Sequence, residues 1–395
     1  MAAVGSARAS VMPSGEIAAE DYDYVVVIPD IHGDLEALLR SLWLAQKNVD
    51  PSRDEDLETF AVRFDPDGPT ASPARVALVQ LGDLVDRGPY SAECVEAMVL
   101  VEKALGWRVV QLYGNHELMT LLDPKAEYVH PEDFGSDADG MWQWFKKGDG
   151  FDLVTRNFRG FGILKSSSGG NAASLFVHGG INPVWFSKQL WAQPLSINGM
   201  NAEITNLVGN KESPKRMGLY AHDDAFVWTR VFEDAPEELL CGTVIEPILA
   251  KFQVARIIVG HSPQDEGRAR VRCGGKVILA DTMVSRWMRI SEFKEVSKET
   301  RAEAANPTAF VMTLKGGQLD SIVEHHTDLN TGTFDTRFEL PIAPSVSKAA
   351  VAKTFLSQPM RGRLGGPQKA PLALSEEREV KRTPLALLQE GEEEE

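Results

Sequence analysis

The chain has little cysteine, no excess of positive charge and no long apolar run. Cys94, Cys241 and Cys273 are its three cysteines in 395 residues, far apart and without a Cys-x-x-Cys pair. That count and spacing argue against a disulfide framework and a structural zinc site, fit a reducing compartment, and make all three cysteines small core residues. Lys and Arg number 41 against 57 Asp and Glu, a formal charge of −16. Such acidity argues against non-specific nucleic-acid binding and a polybasic membrane patch. It does not forbid an anionic substrate, because bound divalent cations reverse the local sign. No apolar run approaches the roughly 20 residues of a membrane helix. Met1 to Glu16 also lacks the hydrophobic core of a secretory signal, so the expected location is cytoplasmic.

What is present is a rhythm of strand, turn and helix. The apolar run Tyr24–Ile28 predicts a buried strand, and Leu35 to Ala45 has helical spacing. Asp50 to Pro73 is polar and Pro-rich, a surface loop. Further strands are predicted at Val76–Leu81, Arg108–Tyr113, Leu175–Val177, Arg256–Val259, Val277–Ala280, Phe310–Leu314 and Leu319–Val323. Helices are predicted over Ser91–Leu105 and Leu239–Phe252. The expected organisation is a disordered segment 1–21, a catalytic domain 22–341 with helical insertions at about 118–165 and 183–226, and a disordered tail 342–395 ending in an acidic run. Alternating strands and helices imply an α/β sheet with ligand groups at the C-terminal ends of strands.

Five short motifs follow predicted strands: Asp30-Ile31-His32-Gly33, Gly82-Asp83-Leu84-Val85-Asp86-Arg87-Gly88, Gly114-Asn115-His116-Glu117, His178-Gly179-Gly180 and Gly260-His261. Glycine lets the backbone turn sharply after each strand. Asp, His and Asn supply oxygen and nitrogen ligands suited to Mn²⁺, Fe or Zn²⁺. In Asp-x-His both side chains can converge on one cation, and a carboxylate such as Asp83 can bridge two. Two such cations can clamp the attacking and leaving oxygens of a phosphoryl displacement.

These motifs resemble the metallophosphoesterase (calcineurin-like) superfamily, and within it the phosphoprotein phosphatase family. Asp-Arg-Gly after Gly-Asp, together with Gly-Asn-His-Glu, carries the likeness over about residues 22–325. Trp228-Thr229-Arg230 and Gly260-His261-Ser262-Pro263-Gln264 are most similar to the bacterial-like branch called Shewanella-like protein phosphatases. The resemblance implies a four-layer fold, a central β-sandwich flanked by helices, with a dimetal site at one edge. It implies two divalent ions, Mn first, with Fe or Zn as alternatives. Asp30 and His32 are then ligands of the first metal, Asp83 a bridge, and Asn115, His178 and His261 ligands of the second. His116 is the general acid, oriented by Asp86, while Arg87 and Arg230 hold phosphate oxygens.

The implied reaction is hydrolysis of phosphoprotein monoesters, on Ser or Thr and also Tyr, by direct attack of a metal-bridging hydroxide. The symmetric dinucleoside tetraphosphatases share these motifs and give the alternative substrate. A third possibility is a scaffold that has kept the fold without the activity, but no motif ligand is missing. Pro29 stands where the usual motif has glycine, a position that contributes backbone only. Around Ala280-Asp281-Thr282 the sequence departs from the toxin-binding loop of the common eukaryotic enzymes, which implies poor sensitivity to those toxins. The same departure leaves the regulatory partner unknown.

Overall fold

The computed structural model describes residues 14–122, 128–133, 144–145, 149–167, 170–189, 192, 196–210, 219, 222–292, 306–327 and 334–344. The fold is α/β, with two mixed sheets. Strand β2, Tyr24–Ile28, is apolar at every position after Tyr24 because it is covered on both faces. Its alternate residues go opposite ways. Val26 and Ile28 share a core cluster with Leu38 and Leu42 of helix α1, Leu35–Val49. Val25 and Val27 instead share a cluster with Phe176, Ile258 and Ile278 of the other sheet.

Helix α1 begins where its sequence prescribes. The Asp34 carboxylate accepts the Ala37 N–H at 3.1 Å, capping an otherwise unpaired donor. Its buried face includes Leu38, Leu39, Leu42 and Trp43. Trimming a buried leucine such as Leu42 to alanine costs about 2–5 kcal/mol. The helix Ser91–Leu105 ends at Gly106, whose φ of 72° suits glycine.

The seven-stranded sheet has the order β13 (Phe334–Glu339), β12 (Gln318–Thr327), β11 (Thr308–Lys315), β2, β3 (Val76–Gln80), β4 (Arg108–Leu112) and β5 (Phe158–Arg159). The six-stranded sheet has the order β1 (Glu16–Ala18), β6 (Gly162–Lys165), β7 (Ser174–Phe176), β8 (Arg256–Val259), β10 (Val277–Leu279) and β9 (Arg270–Arg272). In the first, β2 runs parallel to β3 (Val76–Gln80), and β3 to β4 (Arg108–Leu112). In the second, β7 (Ser174–Phe176) runs parallel to β8 (Arg256–Val259), and β8 to β10 (Val277–Leu279). Parallel neighbours end at the same edge, so residues far apart in sequence meet there. All five motifs follow strands from this set.

Several expectations are corrected. The segment 1–21 contains a strand, β1 (Glu16–Ala18), paired in parallel with β6 (Gly162–Lys165). Three residues on a sheet edge leave too short a pattern to see in sequence. The region 50–73 holds a helix at Leu57–Ala61 capped by Asp56. The stretch 118–165 is not helical throughout: besides helix Asp149–Asn157 it carries β5 (Phe158–Arg159) and β6. The stretch 183–226, by contrast, holds a helix, Ile197–Gly209, where a helical insertion is expected. Residues 345–395 of the tail lie outside the described residues.

The cysteine expectation is also corrected. Cys241 and Cys273 are joined by a disulfide, with Cα atoms 5.3 Å apart, while Cys94 is free and buried. The hairpin of β9 (Arg270–Arg272) and β10 brings Cys273 against the π-helical turn Leu240–Val244. The Glu237 carboxylate ties the two together. It accepts the Cys273 N–H at 2.7 Å and the Arg272 guanidinium at 2.7 Å. A 32-residue separation carries no local signal for such a pairing. Among the described residues, no helix is long and apolar enough to cross a membrane.

Candidate active site

The turns after β2, β3 and β4 in one sheet, and after β7 and β8 in the other, converge on a cavity of about 390 Å³. Every predicted site residue lines it except His178 and Asp86, which are buried behind it. Close approach is possible because the motif glycines lack a side chain. A Cβ on Gly114 would lie 2.0 Å from Asp83 Oδ1, and one on Gly260 would lie 2.1 Å from Asp30 Oδ1.

Asp83 is the hub. Its Oδ2 lies 3.7 Å from His32 Nε2, 3.9 Å from His116 Nε2 and 3.3 Å from His178 Nε2. Two groups of potential ligands share it: His32, Asp83 and His116, and Asp83, His178 and His261. Asn115 adds an oxygen 3.0 Å from His178 Nε2. Asp30 holds the turn at the second group, since its Oδ2 accepts the His261 N–H at 2.9 Å.

The histidine rings are aimed by their other contacts. His178 Nδ1 lies 2.8 Å from the Leu81 carbonyl, which fixes the proton on Nδ1 and turns Nε2 toward Asp83. His261 Nε2 lies 3.0 Å from the Trp228 carbonyl. His116 Nδ1 meets Asp86 Oδ2 at 2.7 Å. That contact orients the ring and leaves Nε2 on the side of Asp83.

Electrostatics set the site's demand for a cation. Burial, with Asp281 and Asp83 nearby, pushes the Asp30 carboxyl well above the usual range. Burial pushes His32 and His261 well down, leaving neutral imidazoles with a lone pair to donate. Burial also opposes charge on Asp83, but His178 and His116 outweigh it and hold Asp83 well below the usual carboxylate range. For His178, the Asp83 and Asp30 carboxylates overcome burial and push it up to about 10. Asp30 Oδ1 and His32 Nδ1 are buried without a hydrogen-bond partner. Orphaned donor atoms beside buried carboxylates and neutral imidazoles are what a divalent cation satisfies, so these residues fit one.

The backbone is strained at the same place. His32, Asp83, Asp86, Arg87 and His261 adopt φ values of 49°, 51°, 69°, 72° and 63°. Each left-handed non-glycine residue costs on the order of 1 kcal/mol, held by its surroundings.

Three contributors carry no role in the sequence reading. Glu117, fully buried, accepts N–H groups from Asp83 (3.0 Å), Leu84 (2.7 Å), Val85 (3.3 Å) and Gly114 (2.7 Å). Burial and Asp83 push its carboxyl up to about 7. It stands in a quoted motif, so its signal was present. Asp281, also fully buried, follows β10, and burial pushes its carboxyl up to about 6. Its signal is the same strand-then-acid pattern as Asp83, at the end of another parallel strand. Tyr128 places its ring 5.0 Å from His116 and 5.3 Å from the Arg87 guanidinium carbon. Its carbonyl accepts the Arg87 N–H at 2.7 Å. Nothing in the sequence marks it.

Known proteins resemble the chain in sequence and in fold. The sequence profile of the calcineurin-like phosphoesterase family matches residues 24–265, more than half of the chain. The chain is 26% identical to Shewanella-like protein phosphatase 1 of Plasmodium berghei over 277 residues, covering 66% of this chain and 67% of that one. It is 30% identical to a symmetrical bis(5'-nucleosyl)-tetraphosphatase of Acidovorax ebreus over 128 residues, 31% of this chain and 40% of that one. The crystal structure of a cold-active protein-tyrosine phosphatase of a Shewanella species superposes with a TM-score of 0.54 at 22% identity, covering 83% of this chain and 82% of that one. At that identity the superposition shows a shared fold.

Proposed function

The chain belongs to the calcineurin-like phosphoesterase family, and on that premise we propose that it is a metal-dependent phosphoprotein phosphatase. The observation that carries the proposal is Asp83, shared by two ligand groups in a cavity that Arg87, Arg230 and His116 also line. We read the two sheets as a central β-sandwich flanked by helices in four layers, with the site at one edge, within a catalytic domain spanning 22–341.

Asp30, His32 and Asp83 would hold one divalent cation, and Asp83, Asn115, His178 and His261 a second, with Mn²⁺ the first choice. When bound, the cations polarise the phosphoryl group and lower the pKa of the attacking water. Arg87 and Arg230 bind phosphate oxygens through their planar forks. His116, with Nδ1 held by Asp86, presents Nε2 to protonate the leaving oxygen of serine, threonine or tyrosine. Tyr128 walls the pocket beside both His116 and Arg87.

The dinucleoside tetraphosphatase remains the second reading, because the local match to such an enzyme spans 128 residues. Substrate choice lives in loops rather than in the shared fold. The decisive experiment measures product release by metal-stripped protein with and without Mn²⁺. Its panel is phosphoserine, phosphothreonine and phosphotyrosine peptides beside diadenosine tetraphosphate. Mn²⁺-dependent phosphate from peptides supports the proposal. Cleavage of the dinucleotide alone overturns it in favour of the second reading. The cytoplasmic placement has its own check, fractionation with thiol labelling, since the Cys241–Cys273 bridge belongs more naturally to an oxidising compartment.

A further inference from the structure

The cavity wall includes two carboxylates that no step above uses. Glu233 and Asp265 line the same space as Arg87 and Arg230. That this space receives a ligand is marked independently by Asp30, which lines it with a buried, unpartnered Oδ1.

Both carboxylates sit on fixed mounts. Glu233 is in the short helix Val231–Asp234, and its carboxylate lies 3.6 Å from Arg230 Nη1. The buried Arg272 guanidinium grips that helix from behind. It donates to the carbonyls of Phe232 (2.7 Å), Glu233 (2.9 Å) and Ala235 (2.8 Å). Asp265 is exposed on a turn closed by the Gly267 N–H donating to the Gln264 carbonyl at 2.8 Å. Gln264 N–H is anchored on the Asp281 carbonyl at 2.8 Å, and Asn306 Nδ2 donates to the Gly267 carbonyl at 2.7 Å. The backbones that carry both carboxylates are thereby anchored at the opening.

The charges then decide what enters. A phosphomonoester carries close to two negative charges near neutral pH. Arg87, Arg230 and the bound divalent cations answer that charge at the phosphoryl position itself. Glu233, paired with Arg230, and the exposed Asp265 place their negative charge beside whatever flanks the phosphoryl group. A polyphosphate chain would bring its further negative charges against them. A lysine or arginine next to a phosphorylated residue would be attracted.

We propose that Glu233 and Asp265 make this cavity selective for phosphopeptides with a basic residue beside the phosphorylated one. The inference rests on the phosphatase reading above. Partly exposed pairs of this kind contribute about three- to fivefold each in affinity.

The test compares kcat/KM for two phosphopeptides that differ only in flanking Arg or flanking Glu, with p-nitrophenyl phosphate as a reference. Wild type, Glu233→Gln, Asp265→Asn and the double variant are each assayed with Mn²⁺. The Arg:Glu ratio is taken within each protein, so partial misfolding scales both substrates alike. The expected ratio is about tenfold or more in wild type, falling about threefold in each single variant and approaching unity in the double variant. It should also shrink as salt rises, because these charges are screened. If the double variant fails to fold, a wild-type ratio insensitive to salt overturns the proposal. A ratio near one in wild type, or one preserved in the double variant, overturns it too. Silence on p-nitrophenyl phosphate and on both peptides, by contrast, sinks the phosphatase reading itself, whereas turnover with a flat ratio sinks the selectivity alone.

Discussion

Glu117 and Asp83 clasp each other's loops. The Glu117 carboxylate accepts the Asp83 N–H at 3.0 Å, and the Asp83 carboxylate accepts the His116 N–H at 3.0 Å. The turn after β3 is thereby locked to the start of the helix Asn115–Leu122. The residue that bridges the two ligand groups takes its position from one that does not line the cavity.

Glu117→Gln should therefore damage the site from behind. Glutamine has one acceptor oxygen, so at least two of the four N–H groups would face an amide NH₂ instead. Leaving buried donors unsatisfied costs about 1–3 kcal/mol each. Urea unfolding should show a loss of about 2–6 kcal/mol, together with weakened Mn²⁺ binding. Stability within about 0.5 kcal/mol of wild type would remove Glu117 from the account.

His116 offers a sharper division of roles. Its Nε2 lies close enough to Asp83 to be a metal ligand, but its Nδ1 contact with Asp86 suits a proton donor. With His116→Asn, metal content should stay at wild-type level while kcat on a phosphopeptide falls about 10²–10⁴-fold. Asp86→Asn should lower kcat in the same direction by releasing the ring. Loss of a metal from His116→Asn would reassign that side chain as a ligand.

The Cys241–Cys273 bridge closes a loop whose ends are 32 residues apart. Chain-entropy arguments give such a loop about 2–4 kcal/mol of stability. Replacing both cysteines by serine should lower the denaturant midpoint accordingly. Dithiothreitol should lower the wild type to match the double variant. Identical midpoints with and without reductant would show that the bridge does not form in solution.

Much of the site was legible because its chemistry is local. Asp30, His32, Asp83, Asn115, His116, His178 and His261 all fall within a few residues of a strand end, in motifs rich in glycine. What was not legible depends on packing. Asp281 reaches the cluster only because β10 lies parallel to β8. Tyr128 follows a stretch with no periodic pattern, and its place against His116 and Arg87 is tertiary. The disulfide depends on a hairpin and a π-helical turn meeting. The strand Glu16–Ala18 is made by its partner, since three residues have too little pattern of their own. Element boundaries on central strands were close, as at Tyr24–Ile28, because residues buried on both faces are continuously apolar.

The most direct test of the whole account is metal stoichiometry with activity in the same samples. Stripped wild type and Asp83→Asn would be reloaded with Mn²⁺, desalted, and measured for bound metal and for turnover of p-nitrophenyl phosphate. The account predicts two Mn²⁺ per chain and turnover in wild type, about one or none in Asp83→Asn, and at least a hundredfold lower turnover there. Two metals and full turnover in Asp83→Asn would contradict the claim that Asp83 joins the two halves of the site.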